Sequence, residues 1–164
     1  MALDLDTAAA VDLAAAVRAK DVSPTELVDE FIGRIERVNP RLNAMVATRF
    51  ELARAEAAGM TQQLGSVDDT STLPPLFGVP CTIKDCFGLE GLPHTAGSLR
   101  RRHTIARVDG TAPRRWREAG MIPLGLTNVP EMAFWYETDN LVYGRTNNPY
   151  DVTRTVAGSS GGEG

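Results

Sequence analysis

The chain has 164 residues, with 43% hydrophobic and 23% charged residues, near the average of folded globular proteins. Its 17 Lys and Arg against 21 Asp and Glu leave a formal charge of −4, which argues against a general nucleic-acid binder. Two cysteines and two histidines are too few for a disulfide framework or an evident zinc ligand set, and no apolar run reaches the ~18 residues of a membrane helix.

The chain begins Met-Ala-Leu-Asp-Leu-Asp, without the basic start of a secretory signal. Thr7–Lys20 is Ala-rich and reads as a helix, although Asp12 interrupts its apolar run Ala8–Val17. Ser23-Pro24-Thr25-Glu26 is a capping box with Pro at the first helical position. Behind it Leu27, Val28, Phe31, Ile32, Ile35 and Val38 form one apolar stripe, and Asn39-Pro40 is expected to stop the helix. Asn43–Thr48 reads as a short strand, Phe50–Leu64 as a third helix and Gly65–Pro75 as a loop.

Gly78–Lys84 is short, apolar and β-branched, and is expected to be a buried strand. Asp85–Arg102 is glycine-dotted and irregular. Asp109–Ala119 reads as a helix with Asp109 near its N-cap, and Met121–Thr127 as a second apolar strand. Strand, helix and strand in this order predict a βαβ unit in a largely parallel sheet, hence an α/β fold. Pro130–Tyr136 is expected to be a short helix, and the rest mostly turns, ending in Gly158-Ser159-Ser160-Gly161-Gly162-Glu163-Gly164. A glycine-serine loop usually leads into a further element, so the chain reads as a fragment.

Lys84 ends an apolar strand before a glycine-rich loop. Desolvation at such a position favours a neutral amine, which can act as a general base. The alternative is a surface lysine, or one paired with Asp85. Ser159 and Ser160 lie among glycines that let backbone N–H groups converge on an anion, but a flexible linker or a phosphate-binding loop fits the same composition. Arg100–Arg102 and Arg114–Arg117 read as solvated faces. His94 has no companion ligand cluster. Met132, Phe134, Trp135 and Tyr136 read as core, with an apolar pocket as the alternative.

Pro75–Asp85 (PLFGVPCTIKD), Ala119–Val129 (AGMIPLGLTNV), Tyr143–Pro149 (YGRTNNP) and Ala157–Gly164 (AGSSGGEG) occur in this order. This series resembles the amidase signature family, closely from Leu73 onward and more loosely in the helical first third. Lys84 and Ser159, 75 residues apart, are similar to the family in their spacing. Glu163 after GSSGG is similar to fatty-acid amide hydrolase-type and general amidases. The A subunits of tRNA-dependent amidotransferases more often carry a small residue there.

The resemblance implies an α/β/α fold, a mixed sheet with flanking helices, here in its N-terminal part and incomplete. Residues 1–164 then form a single partial amidase domain, with 1–64 mainly helical and 73–164 the start of the core. The implied activity is hydrolysis of a carbon–nitrogen amide bond to a carboxylic acid and ammonia or an amine by a Ser–Ser–Lys triad, without metal or cofactor. Lys84 is the implied general base. Ser159 is the implied bridging serine, with a typically cis peptide bond to Gly158. Ala133 matches the substrate-binding position, beside Ser159. The family nucleophile lies about two dozen residues beyond Ser159, past Gly164, so this chain alone is expected to be inactive. Two other readings are a non-catalytic truncated α/β module and the A subunit of an amidotransferase. The remaining expectations are a cytoplasmic protein, a small-molecule amide substrate, no nucleic acid or membrane segment, and a homo-oligomer or a complementing chain as partner.

Overall fold

The structure, a computed structural model, describes residue 5 and residues 7–163. It is an α/β arrangement in which a mixed three-stranded sheet is flanked by helices. Helix α1 spans Ala10–Arg18, shorter than its alanine content predicts. Its first turn starts where the Asp12 carboxylate accepts from Ala9 N–H, and Lys20 at φ 61° turns the chain away. Arg18 binds α1 to the later loop by donating to the carbonyls of Pro74 and Pro75.

Helix α2, Pro24–Leu42, opens on the capping box: Ser23 Oγ accepts from Glu26 N–H, and the Glu26 carboxylate accepts from Ser23 N–H at 2.8 Å. The helix does not stop at Asn39-Pro40. Pro40 lies inside the last turn, so the bond its N–H would make is missing but the turns before it are intact, and the chain leaves through Asn43 in the left-handed region at φ 52°. Asn39 is a cap rather than a breaker: its Oδ1 accepts from Ala44 and Met45 N–H, and its Nδ2 donates to Met45 O. That arrangement directs the chain into strand β1, Met45–Thr48. Helix α3 is next, Phe50–Ser66, and a 3-10 turn over Thr70–Thr72 lies in the expected loop.

Strand β2 is Pro80–Lys84, helix α4 is Thr111–Glu118 and strand β3 is Ile122–Thr127. The strand order is β1-β3-β2, with β2 parallel and β1 antiparallel to β3. The expected βαβ unit is therefore present as β2-α4-β3. Strand β3 is central and buried along its whole length. Strand β2 is not the fully buried strand expected: only Ile83 is fully enclosed, because β2 has a single strand neighbour. Gly110 caps α4, with Asp109 one residue before it. Asp109 accepts from Glu90 N–H and pairs with Arg117.

The core lies in clusters on both sides of the sheet. Leu13, Val17, Leu27, Leu73, Phe77 and Val79 pack α1 against the neighbouring elements. Val28, Ile32, Met45, Ala53, Ile122 and Leu124 join α2 and α3 to the strands. Ile83, Leu89 and Leu126 form a third cluster. Strict alternation would place Leu126 beside Ile122 and Leu124. The register, however, runs Cys81 opposite Pro123 and Ile83 opposite Leu126, so β3 holds one extra residue. Gly125 sits in that bulge, where a Cβ would collide with Ala47 O of β1. The bulge reverses the facing of the last two strand residues: Leu126 turns to the Ile83 side, and Thr127 shares a face with Lys84.

Candidate active site

Strand β2 delivers Lys84 at its C-terminal end, half-buried, beside its register partner Thr127. The chain then turns sharply, and the adjacent Asp85 goes the other way. Asp85 is buried; its carboxylate accepts from Thr95 N–H and Thr95 Oγ1, which shapes the loop after β2. Burial pushes the Asp85 carboxyl up, against the pull of the Thr95 hydrogen bonds. Asp85 is thus occupied in its own loop.

The partners of Lys84 come from the far end of the sequence. Its Nζ donates to Ser159 Oγ at 2.9 Å and to Ser160 Oγ at 3.0 Å. The Gly158–Ser159 peptide bond is cis. Three contacts hold this serine loop in place. Thr138, buried, accepts from Gly161 N–H through its Oγ1 and donates to Ala157 O from both N–H and hydroxyl. Gly162 lies against the end of β3; a Cβ there would stand 2.5 Å from Asn128 N and 2.9 Å from Ala44 O. Glu163 accepts from Thr82 Oγ1 of β2 and Thr127 Oγ1 of β3.

Asn128, directly after β3, organises the neighbouring loop. Its Nδ2 donates to Gly144 O and Thr146 Oγ1, and its Oδ1 accepts from Asn140 Nδ2. Asn140 in turn donates to Val129 O. Every member of this buried amide network finds a partner, which makes it a rigid support. Sequence reasoning does not single out these residues. Their available signal is a polar Thr-Asn pair ending an otherwise apolar strand.

Beside Lys84 lies an open cavity of about 340 Å³. Ile83, Phe87 and Trp116 form its apolar side, and Lys84, Ser160 and Glu163 its polar side. Cys81 on the same strand offers no thiolate: burial and then the charge of Glu163 push its thiol up to about 12. Burial likewise raises Cys86.

Ala133 lies in a turn, Glu131–Ala133, half-buried. The expected helix over Pro130–Tyr136 does not form. Met132 and Ala133 both have positive φ, and only this single 3-10 turn is present. The aromatic run is not core: Phe134 is 86% exposed, and Trp135 stacks on Tyr136 at the surface with ring centroids 4.6 Å apart. Among the described residues no cluster of three His, Cys, Asp or Glu could hold a metal, and no helix is long and apolar enough to cross a membrane.

The Amidase family model matches residues 26–164. The chain belongs to the amidase signature family. Human fatty-acid amide hydrolase 2 is 44% identical over 158 residues, which cover 94% of this chain and 30% of that protein. The A subunit of the glutamyl-tRNA(Gln) amidotransferase of Acidothermus cellulolyticus is 36% identical over 159 residues, covering 97% of this chain and 31% of the relative. The crystal structure of a bacterial aryl acylamidase of the amidase signature enzymes superposes with a TM-score of 0.85 at 33% identity, covering 94% of this chain and 32% of that one. This amidase-signature chain therefore spans about a third of the length of the relatives it matches.

Proposed function

We propose that the protein carrying this chain hydrolyses a carbon–nitrogen amide bond of a monocarboxylic amide, releasing an acid and ammonia or an amine. The carrying observation is the Lys84 Nζ to Ser159 Oγ hydrogen bond at 2.9 Å in a chain of this family. Lys84 is the general base and Ser159 the relay. The nucleophile is a further serine outside residues 1–164.

Lys84 Nζ and Ser159 Oγ stand within hydrogen-bond distance. For catalysis the amine is neutral and accepts the Ser159 hydroxyl proton. Ser159 Oγ at the same time accepts the proton of the attacking serine, as a hydroxyl can both donate and accept. The serine oxygen attacks the amide carbon, and the protonated lysine returns a proton through Ser159 to the leaving nitrogen. An acyl-enzyme remains, and water hydrolyses it by the same relay. Backbone N–H groups of the glycine-rich segments stabilise the oxyanion. Ala133 is assigned to the acyl side by the family resemblance alone, as it is not among the residues lining the cavity beside Lys84. Residues 1–164 form one partial domain and by themselves cleave no amide, since the relay has no nucleophile to activate.

The test is ammonia release from a simple aliphatic amide by the purified longer protein, compared with its Lys84→Ala variant. Undiminished turnover in Lys84→Ala would sink the reading. The similarity to the A subunit of an amidotransferase supports a second reading, in which ammonia passes to a companion protein. Turnover without any companion protein favours the free-standing amidase.

A further inference from the structure

Glu163 has both carboxylate oxygens engaged by hydroxyl groups of the sheet. Oε2 accepts from Thr82 Oγ1 at 2.6 Å, and Oε1 accepts from Thr127 Oγ1 at 2.5 Å. The two threonines come from adjacent strands. Thr82 precedes Lys84 by two residues and shares its face of β2. Thr127 is the register partner of Lys84 across the β2–β3 seam. One carboxylate therefore spans the seam beside the lysine.

Glu163 is also tied to the serines. Its N–H donates to Ser160 O at 2.9 Å, which closes a tight turn over the loop whose two hydroxyls face Lys84. The Glu163 side chain thus ties one end of the turn to the sheet, and Thr138 holds the other end. Short hydroxyl–carboxylate bonds are the stronger kind, because the acceptor is charged. Thr127 is 2% exposed, and its other acceptor, Ile83 O, is distant at 3.3 Å. Removing the carboxylate therefore leaves a buried hydroxyl with only a long contact.

We propose that Glu163 is a positioning residue: its carboxylate fastens the serine turn to strands β2 and β3 and thereby sets the spacing of Ser159 and Lys84. This rests on the reading of Lys84 as base and Ser159 as relay. Glu163 acts through the turn and takes no proton in the reaction. A displacement of about 1 Å in a reacting group costs on the order of 100-fold in rate, so a loosened turn has a measurable effect.

The experiment measures kcat and KM for a simple aliphatic amide with the protein at its native length. It compares the parent with Glu163→Ala, Glu163→Gln, the Thr82→Val/Thr127→Val pair, and Lys84→Ala as a control. Glu163→Ala is expected to lower kcat about 10- to 100-fold while KM stays within about threefold. Glu163→Gln is expected to recover most of that loss, since its amide oxygen accepts one hydroxyl and its NH2 donates to the other. The threonine pair should mimic Glu163→Ala, and adding Glu163→Ala to it should cost little more, the signature of one shared interaction.

A parental kcat in Glu163→Ala, or a loss confined to KM, overturns the proposal when Lys84→Ala is inactive. Activity in Lys84→Ala overturns the underlying reading instead. If Glu163→Ala does not fold, Glu163→Gln and the threonine pair decide: a lowered kcat in the pair with recovery in Gln sustains the proposal, and parental kcat in the pair overturns it.

Discussion

Lys84 Nζ and Ser159 Oγ meet at 2.9 Å across 75 residues of sequence. The meeting depends on β3, which pairs in parallel with β2 and is followed by Asn128 against Gly162. The lysine is thus held by a strand and the serine by a loop seated on the neighbouring strand. The same Nζ also reaches Ser160 Oγ, at 3.0 Å.

On the proposed reading the two serines separate by function, although Lys84 reaches both at nearly the same distance. In the protein at native length, Lys84→Met and Ser159→Ala should each lower kcat about 10²- to 10⁴-fold, the range of a lost proton-transfer partner. Ser160→Ala should retain activity within about tenfold, as one hydrogen bond near the relay is lost rather than the relay itself. Steady-state amide hydrolysis checks this, and a collapse in Ser160→Ala with an active Ser159→Ala would reverse the two roles.

Gly162→Ala should detach the serine loop from the end of β3. The added methyl group would stand 2.5 Å from Asn128 N, a backbone atom fixed by the strand and unable to yield cheaply. The expected cost is about 1–3 kcal/mol of stability, as for overpacking elsewhere. Urea unfolding of this chain measures it; an unchanged midpoint would mean that the loop does not sit on Asn128.

Glu56 stabilises the chain in a pH-dependent way. It takes a two-pronged contact from Arg49, whose side chain is 5% exposed, and a third from Arg117. Burial pushes the Glu56 carboxyl up, but the hydrogen bonds and charges of Arg49 and Arg117 outweigh it, and the net shift is downward from 4.5. A depressed folded value contributes stability that is full above about pH 4.5 and is lost as pH falls through the folded value. Glu56→Gln should therefore cost about 1–3 kcal/mol at neutral pH, because a buried guanidinium loses its counter-charge. The difference between variant and parent should shrink as pH falls below about 4.5. Thermal unfolding across pH tests this, and a difference that does not narrow on acidification would contradict it.

Cys81 should resist thiol reagents while folded. With its thiol pushed up to about 12, first by burial and then by Glu163, its thiolate fraction at pH 8 is on the order of 10³-fold below that of a free cysteine. Peptide-resolved mass spectrometry after brief alkylation should find Cys81 unmodified in the native chain and modified in denaturant. Rapid native labelling would mean that the Cys81 strand is open to solvent.

The local chemistry of the sequence carries much of the architecture. The Ser23-Pro24-Thr25-Glu26 box opens α2, as short-range capping demands no distant partner. Gly78–Lys84 and Met121–Thr127 contain the two parallel strands, with boundaries shifted by a residue or two. The same local reasoning errs where a side chain has a remote task. Asn39 caps the entry to β1 instead of ending α2. Met132–Tyr136 reads as core because aromatic residues are usually buried. It lies instead on a surface turn whose positive φ values no propensity announces.

The sequence by itself carried the family resemblance, through four short segments in a set order, and only that resemblance singled out Lys84 and Ser159. The order and spacing of motifs are properties of the chain alone. Tertiary structure decided which atoms meet. The extra residue at Gly125 turns Thr127 onto the face of Lys84, and the pairing of β3 with β2 then lets Glu163 span both strands. Neither outcome comes from alternation, because a bulge is set by the approach of Ala47 from β1. Register and side-chain pairing across distant segments are settled by the packing of the sheet as a whole.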